Sequence, residues 1–376
     1  MSDPARRGPF QWTVAVPVLS LGLLLATWSS HENPVVLVAI AVALVGSILA
    51  AVHHAEVVAH RVGEPYGSLV LAVAVTVIEV GLIVMLMVGG GEGSSTYARD
   101  TVFAALMITL NGIVGLSLLV GALRHGLVSF NATGTGSALS TVVALASVCL
   151  VLPGVTTSAQ GLEYTASQLA FAAVASLVLY GAFVFTQTVQ HRDFFLPVTS
   201  DSQGRMTGVF DLADSDGDGH ADPPDGTETL ISLALLLVSL VSVVGLAKLL
   251  SPTIEDAVSA LGLPYAVVGV VIALLVLAPE SIAAVLNASR DRVQISLNLA
   301  YGSAMASIGL TIPTIAVAMI WLDGPLVLGL ESTQIVLLVT SVAVATLTVV
   351  QGRAKALQGV VHLTLLATFL FFSLSP

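Results

Sequence analysis

The sequence is poor in charged residues. Of its 376 residues only 9% are Asp, Glu, Lys or Arg, whereas 56% are hydrophobic and the mean hydropathy is +0.98. A soluble globular domain carries about 25% charged residues. The scarcity of charge therefore excludes a soluble protein and indicates a polytopic membrane protein.

Other scarcities exclude further classes of protein. The chain has 12 Lys and Arg against 23 Asp and Glu, and no basic patch of the kind that binds nucleic acid. The one cysteine, Cys149, lies in an apolar run, so disulfide bonds play no part. No HExxH or GxSxG motif supports an intramembrane enzyme. We therefore expect no nucleic-acid partner, no enzymatic activity and no organic cofactor.

Long apolar runs predict an all-α fold with about 11 transmembrane helices. Each run is near the roughly 20 residues that a helix needs to cross the hydrocarbon core. The predicted spans are residues 11–29, 34–52, 67–88, 101–123, 137–152, 164–189, 228–250, 264–288, 293–322, 332–350 and 357–374. The first run also resembles a signal peptide, but it lacks a convincing cleavage site and more spans follow it at once.

The distribution of basic residues predicts the orientation of these spans. With the N-terminus in the cytoplasm, cytoplasmic segments hold 10 of the 12 Lys and Arg residues, and the opposite side holds Arg99 and Lys248. An excess of positive charge on the cytoplasmic side is the usual signature of membrane topology. We therefore predict a cytoplasmic N-terminus and an external C-terminus.

Two segments in opposite halves of the chain share a pattern. Pro65-Tyr66 opens an apolar run with Glu79 in its middle, and Pro264-Tyr265 opens a run that holds Glu280. Such similarity between halves indicates an internal repeat. Eleven spans divide into one helix followed by two units of five. Because five is odd, the two units enter the membrane from opposite sides and form an inverted repeat. The predicted domains are residues 1–33 with the first span, the repeats 34–190 and 228–376, and the acidic cytoplasmic loop 191–227.

Glu280 follows Pro279 inside an apolar segment. A carboxylate at the centre of a membrane helix costs roughly 2.5–3.5 kcal/mol, so one is rarely there without a function. The proline should kink or break the helix and free carbonyl oxygens beside the carboxylate, and a hard cation prefers such oxygens. The inverted repeat predicts that Glu79 and Glu280 meet near the midplane, where such transporters bind their substrates. The alternative is that Glu280 sits at a helix end, in contact with headgroups or water.

A second polar cluster follows the predicted second span and consists of His53, His54, Glu56 and His60. Glu56 and His60 share a helix face, whereas His54 and Glu56 do not. The spacing favours an amphipathic helix end at the membrane interface over a metal site or a proton relay.

Nine of the 23 acidic residues lie between Asp193 and Glu228, and all but Glu228 belong to the acidic loop. Twelve of its residues match a calcium-binding loop, with a glycine at the sixth position. The side chains predicted to bind calcium there are Asp214, Asp216, Asp218, Asp222 and Asp225. The last position has Asp instead of the usual Glu, and Pro223-Pro224 lie close to it. The alternative is a solvated acidic linker.

Four segments carry a family resemblance. They are Gly63-Glu64-Pro65-Tyr66-Gly67, Thr76-Val77-Ile78-Glu79-Val80, Ala278-Pro279-Glu280-Ser281 and Ala300-Tyr301-Gly302-Ser303-Ala304. Together they resemble the cation/calcium exchanger superfamily and, within it, bacterial calcium/proton antiporters of the ChaA type. The resemblance covers nearly the whole chain from about Pro34. Many exchangers have Asn three residues before each glutamate, and this sequence departs from that pattern with Thr76 and Leu277.

The resemblance implies a secondary antiporter that exchanges Ca²⁺ for H⁺. Glu79 and Glu280 would bind the cation when ionised and protons when the cation is absent. Neutral oxygens would complete the cation site from Thr76, Thr109, Asn111, Ser303 and Ser307. Na⁺/H⁺ or K⁺/H⁺ exchange through the same site is the alternative, and a cation channel is a rival from another class, which the internal repeat disfavours. The resemblance also implies a bacterial inner (plasma) membrane and lipid surroundings, and it leaves an oligomer open.

Overall fold

The computed structural model consists almost entirely of helices, and it describes residues 12–29, 33–63, 66–89, 93–195, 226–322 and 324–375. Within these residues the α-helices are α1 (Trp12–Thr27), α2 (Pro34–Val62), α3 (Tyr66–Gly89), α4 (Tyr97–Met107), α5 (Val114–His125), α6 (Ala132–Ala146), α7 (Ala166–Phe185), α8 (Gly226–Ala260), α9 (Ala266–Ser289), α10 (Val293–Ala318), α11 (Ser332–Val350) and α12 (Ala356–Leu374). The shorter elements are three π-helical segments (Ile108–Ile113, Ser147–Val151, Thr186–Gln190), two 3₁₀ segments (Leu152–Gly154, Arg192–Phe195) and the strands β1 (Val128–Ser129) and β2 (Arg353–Ala354).

The helices correspond to the predicted spans. α4, the π-helical segment Ile108–Ile113 and α5 together form one of these spans, Tyr97–His125. Among the described residues, ten spans are long and apolar enough to cross a membrane, and α1 is shorter at 16 residues. The all-α polytopic membrane fold is therefore confirmed. Two predicted span ends are wrong, since α2 continues past Val52 to Val62 and α8 continues past Leu250 to Ala260. Polar residues lower the local hydropathy, but they do not interrupt the backbone hydrogen bonds of a helix.

The described residues form two compact units. The first combines Met1–Gly89 with Phe210–Ile254 and contains α1, α2, α3 and most of α8. α2 packs on both α1 and α3. α3 approaches α8 closely, since a side-chain carbon at Gly81 would lie 2.7 Å from Val244 Cγ2. The helix that precedes the predicted repeats thus belongs to the same unit as the first helices of both repeats.

The second unit combines Gly90–Val209 with Glu255–Pro376. In it α7, the last helix of the first predicted repeat, packs on α10, and α12, the last helix of the second repeat, packs on α5. The equivalent helices α6 and α11 contact each other. This exchange of partners is the packing expected of two repeats with opposite orientation.

The connections between spans show the same exchange. The connection after the fourth span pairs with the connection after the tenth through the antiparallel strands β1 and β2. The connection after the fifth span pairs with the connection after the ninth through an antiparallel bridge between Glu163 and Val327. Each repeat therefore supplies one partner to each pairing, and the two pairings are equivalent under the predicted repeat.

Polar contacts also tie helix starts across the repeats. Asn131 caps α6 with its side-chain oxygen, and its backbone N–H donates to Gln294 Oε1 on α10 over 2.6 Å. In the equivalent place, Arg99 Nη1 on α4 donates to Glu331 Oε1, at the N-cap of α11, over 3.2 Å. α6 and α11 are thus each held at their first turn by a helix of the other repeat.

Candidate functional site

Glu79 lies on α3 in the first unit and is 4% exposed. Thr76, one turn earlier, is also buried. Its hydroxyl donates to the carbonyl oxygen of Ala72 over 2.8 Å, so the lone pairs of the Thr76 oxygen stay available to a cation. One helix of the first unit therefore carries a buried carboxylate and a neutral oxygen one turn apart.

Glu280 lies on α9 in the second unit and is 8% exposed. The sequence predicted a kink or a break at Pro279, and the break is wrong, because α9 runs without interruption from Ala266 to Ser289. Membrane helices tolerate proline because neighbouring groups satisfy the backbone oxygen that it leaves free. The carboxylate is thus presented from within a continuous helix and not from a helix end.

The π-helical segment Ile108–Ile113 carries two predicted ligands, Thr109 and Asn111, both buried. It packs on α9, α10, α11 and α12. The Thr109 hydroxyl donates to the carbonyl of Ala105 over 2.9 Å, which leaves its lone pairs available. π-helical segments are frequent at functional sites, and this one lies beside the helix that carries Glu280.

α10 carries the remaining predicted ligands, Ser303 and Ser307, and packs on both α9 and the π-helical segment. Ser307 is buried and Ser303 is half-buried. Beside Ser303, a side-chain carbon at Gly302 would meet no atom of the described residues within 4 Å, so α10 borders open space there. The second unit thus brings the elements that carry five of the predicted ligands into mutual contact, while Thr76 and Glu79 belong to the first unit.

Asn111 is the centre of a buried polar network that the sequence analysis missed. Its Nδ2 donates to Ser341 Oγ on α11 over 2.8 Å, and its Oδ1 lies 3.3 Å from Nδ1 of His362 on α12. Nε2 of His362 lies 3.2 Å from Thr348 Oγ1 on α11. The one sequence signal for this network was a histidine inside an apolar span.

The polar cluster of the second span forms the last turns of α2. His54 Nε2 lies 2.9 Å from the carbonyl oxygen of Thr13, and the rings of His53 and Trp12 lie 6.2 Å apart, so both histidines contact α1. Over the part of the chain that the structure describes, no three His, Cys, Asp or Glu side chains group closely enough to hold a metal ion. These contacts fasten α1 to α2.

Some predicted site residues lie outside the described residues. They include the aspartates of the calcium-loop motif, Asp214, Asp216, Asp218, Asp222 and Asp225. Glu64 and Pro65 of the first repeated motif lie outside them as well. The calcium-loop interpretation therefore stays a prediction.

Comparison with known proteins identifies close relatives along most of the chain. It is 42% identical over 372 residues to y4hA, an inferred ionic transporter of Sinorhizobium fredii. That alignment covers 97% of this chain and 96% of the relative. It is 32% identical over 357 residues to the sodium-potassium/proton antiporter ChaA of Escherichia coli. That alignment covers 94% of this chain and 93% of the relative.

The fold has a counterpart among solved structures. The crystal structure of the H⁺/Ca²⁺ exchanger CAX superposes with a TM-score of 0.70 at 14% identity, over 96% of this chain and 87% of that one. The family model described as sodium/calcium exchanger protein matches residues 33–189 and 231–375, which is more than half of the sequence. The chain therefore belongs to the sodium/calcium exchanger protein family.

Proposed function

We propose that this exchanger exchanges Ca²⁺ for H⁺ through one membrane site that contains Glu79 and Glu280. Membership of the family makes the chain a cation transporter and not an enzyme. The observation that carries the proposal is one buried carboxylate on α3 and one on α9, at corresponding places in the two halves of the chain. Two ionised carboxylates balance the charge of a divalent cation and supply the hard oxygen ligands that Ca²⁺ prefers.

Competition for these carboxylates couples the two ions. With the cation bound, both side chains remain ionised. When the cation leaves, two neighbouring carboxylates in a medium of low dielectric constant repel each other and lack hydration, so each binds a proton more readily. The same site therefore accepts either Ca²⁺ or protons, and alternating access to the two sides of the membrane converts this competition into exchange.

Neutral oxygens complete the cation site. Ca²⁺ takes about six to eight oxygen ligands, more than two carboxylates provide. We assign the additional ligands to Thr76, Thr109, Asn111, Ser303 and Ser307. The packing of α9, α10 and the π-helical segment supports this assignment for the four residues of the second unit.

Exchange of Na⁺ or K⁺ for H⁺ through the same site is the second candidate function, and two observations favour it. The Escherichia coli relative is named a sodium-potassium/proton antiporter. Leu277 also stands three residues before Glu280, where it contributes no side-chain oxygen. The attraction between a cation and its oxygen ligands scales with the charge of the cation, so the loss of one ligand weakens the binding of Ca²⁺ more than that of Na⁺ or K⁺.

We further propose that residues 34–190 and 228–376 are the two inverted repeats, with the N-terminus in the cytoplasm of a bacterial cell and the C-terminus outside its inner membrane. The two segments that match the family model, residues 33–189 and 231–375, nearly coincide with these repeats and support the division. The 10 of 12 basic residues on the proposed cytoplasmic side support the orientation.

Transport by the purified protein in liposomes tests the proposal. An imposed pH gradient should drive uptake of ⁴⁵Ca²⁺, and collapse of the gradient with an ionophore should stop it. Proton release measured with Ca²⁺, Na⁺ or K⁺ as the only added cation decides between the two candidates. Proton-coupled uptake of Na⁺ or K⁺ without Ca²⁺ uptake would favour the second candidate, and no proton movement with any of the three would contradict both.

A further inference from the structure

We propose that Ser117 and Thr311 are two further cation-binding positions, one on each side of the proposed membrane site. Each holds a partly hydrated cation on its way to or from that site. This inference rests on the proposed function, since the cations concerned are the ones exchanged. It deepens that function by assigning the groups that a cation meets before it reaches the carboxylates.

Close packing at two glycines indicates that these two residues occupy equivalent places in the proposed repeats. A side-chain carbon at Gly115 on α5 would lie 3.2 Å from the carbonyl oxygen of Gly359 on α12. One at Gly309 on α10 would lie 2.9 Å from Cβ of Tyr180 on α7. α12 and α7 are the last helices of the two proposed repeats, so Gly115 and Gly309 correspond. The two hydroxyl residues each follow their glycine by two positions and therefore correspond as well.

The same spacing sets the direction of both side chains. Two residues in an α-helix correspond to a rotation of about 200°, so Ser117 points away from α12 and Thr311 points away from α7. Gly121 lies one turn after Ser117 on the same face of α5. A side-chain carbon there would lie 2.9 Å from Val293 Cγ2 on α10 and 3.5 Å from the carbonyl oxygen of Ala288 on α9. Ser117 therefore faces α9 and α10, which carry proposed members of the cation site.

The packing along α9 places Ser117 close to Glu280. α4 and α5 run parallel to α9, because the start of α4 packs on the start of α9 and the end of α5 packs on its end. Gly121 is level with Ala288, and Ser117 stands four residues before Gly121. Ser117 is therefore one turn, or about 6 Å along the helix axis, from the level of Glu280. In the proposed topology this turn lies on the cytoplasmic side of Glu280.

Thr311 lies on the opposite side of the proposed site. It follows Ser303 and Ser307 at intervals of four residues, so the three hydroxyls lie along one face of α10. α10 runs antiparallel to α9, and the Ser296 hydroxyl near its start donates to the carbonyl oxygen of Ala284 near the end of α9 over 2.6 Å. Thr311 is therefore one turn beyond Ser307 toward the external end of α10 in the proposed topology.

A third hydroxyl supports the outer position. Thr101 on α4 packs on Gly269, where a side-chain carbon would lie 2.8 Å from the backbone nitrogen of Thr101. Gly269 stands 15 residues before Ala284 on α9, and Thr311 stands 15 residues after Ser296 on α10. Because these two helices are antiparallel, Thr101 and Thr311 lie at about the same level. Thr101 is 0% exposed, and its hydroxyl has no hydrogen-bond partner in the part of the chain that the structure describes.

The hydroxyls of Ser117 and Thr311 are themselves buried without a hydrogen-bond partner among the described residues, and both residues are 0% exposed. Ser and Thr within helices commonly donate to the carbonyl four residues earlier, as Thr109 and Thr314 do over 2.9 and 2.7 Å. A buried hydroxyl without a partner costs free energy, which a bound ligand offsets. A partly hydrated cation suits such a hydroxyl, because the ion binds the lone pairs of the oxygen and its water accepts the proton.

Modification of single-cysteine variants by Ag⁺, a thiol-reactive cation, tests the proposal without transport. The native cysteine is first removed by Cys149→Ala. Ag⁺ added outside right-side-out vesicles should modify the Thr311→Cys variant, and Ag⁺ added outside everted vesicles should modify the Ser117→Cys variant. Thiols that stay unmodified are counted with N-ethylmaleimide after denaturation. Saturating Ca²⁺, Na⁺ or K⁺ should slow both reactions, because a bound cation occupies the same positions.

The matched controls are Ile312→Cys and Leu118→Cys. Both side chains are buried, and each follows its glycine by three residues, so each shares the face of that glycine and points toward α7 or α12. Each control should react about tenfold more slowly than the variant next to it. Equal rates for neighbouring variants, modification of both Thr311→Cys and Ser117→Cys from one side, or rates that none of the three cations slows would overturn the proposal. Modification from the reverse sides would support the two positions and contradict the proposed orientation.

Exchange measured from each side in turn adds a functional readout. Thr311→Val should raise the cation concentration for half-maximal exchange from the external side by about three- to tenfold, and Ser117→Ala should do so from the cytoplasmic side. The matched controls, Thr314→Val and Ser140→Ala, remove exposed hydroxyls and should leave both values unchanged. Equal changes on both sides in Thr311→Val and Ser117→Ala would indicate a structural role and count against the proposal. A protein that exchanges no cation contradicts the proposed function, whereas Ag⁺ modification requires no transport and decides on the two positions independently.

Discussion

At the scale of single residues, Glu79 and Glu280 are each the only carboxylate of their helix, α3 and α9. We expect Glu79→Gln and Glu280→Gln each to reduce exchange to the background of protein-free liposomes. Glutamine keeps the size and one oxygen of the side chain, but it can neither release a proton nor balance the charge of the cation. Ion flux in liposomes, with protein amount checked by gel, measures the effect.

The control for these substitutions is Glu163→Gln. Glu163 is a carboxylate in the connection after the fifth span, outside the membrane helices. The Glu163→Gln variant should therefore exchange ions at the rate of the unmodified protein. Normal transport by either Glu79→Gln or Glu280→Gln would remove that residue from the mechanism.

The residues of the proposed site and their neighbours differ in how strongly the sequence points to them. Glu79 and Glu280 stand out in the sequence because a carboxylate within an apolar run is costly, and both are buried in the structure. The partners of Asn111 were not predictable, since Ser341 and His362 lie 230 and 251 residues away along the chain. Tertiary packing alone brings these side chains together, and no local sequence pattern predicts their contacts.

At the scale of elements, hydropathy located every span but did not predict all the helix ends. α8 continues through Pro252, two residues beyond its predicted end. The sequence did not predict the π-helical segments either, because their wider turns arise from packing and have no sequence period of their own. This matters for the proposed site, since the segment Ile108–Ile113 carries both Thr109 and Asn111, two of its proposed ligands.

The contact between α5 and α12 depends on a glycine. A side-chain carbon at Gly359 would lie 2.6 Å from the backbone nitrogen of Leu119 and 2.8 Å from the carbonyl oxygen of Gly115. Both neighbours are backbone atoms and cannot rotate away. We therefore expect Gly359→Ala to separate the helices and to lower the free energy of unfolding by about 1–3 kcal/mol.

Gly181→Ala on α7 is the matched control. A side-chain carbon there meets no described atom within 4 Å, and alanine favours a helix over glycine by roughly 0.5–1 kcal/mol. Thermal unfolding in detergent should show a lower melting temperature for Gly359→Ala and an equal or higher one for Gly181→Ala. A melting temperature of Gly359→Ala equal to that of the unmodified protein would show that α5 and α12 can move apart without cost.

At the scale of the whole molecule, the sequence predicts an inverted repeat because an odd number of spans per repeat reverses its orientation. The exchange of partners in the second unit agrees with that reasoning, from α7 on α10 to α12 on α5. The division into two units was not predictable from the repeat, since the first unit takes helices from both repeats. Which helices pack together depends on complementary surfaces, which hydropathy does not encode.

The proposed orientation predicts the behaviour of reporter fusions. Alkaline phosphatase fused after Pro376 should be active, because this enzyme folds only outside the cytoplasm, and green fluorescent protein fused there should be dark. Fusions within residues 200–225 should give the reverse pattern. The reason is the excess of basic residues in the segments assigned to the cytoplasm. Reporter activity on the wrong side at either position would contradict the proposed topology.

The acidic loop joins the two proposed repeats, so calcium bound there would act on the rate of exchange and not on its chemistry. Five aspartates from Asp214 to Asp225 would gather around one ion and stiffen the connection, whereas without calcium their repulsion would favour an extended chain. We expect the combined change of Asp214, Asp216 and Asp218 to Asn to shift the calcium dependence of the rate while proton-coupled exchange continues.

A change of Asp193, Asp201 and Asp211 to Asn is the control for this prediction, because it removes the same charge outside the twelve-residue motif. An effect of charge alone would appear in both triple variants, whereas calcium binding by the motif would appear only in the first. Calorimetry on the full-length protein in detergent, with each triple variant for comparison, measures the binding directly. The loss of one binding event in the first variant alone would support a calcium site. Equal binding and equal transport in both variants would leave a solvated linker, because three of five ligands cannot be neutralised in a calcium loop without loss of affinity.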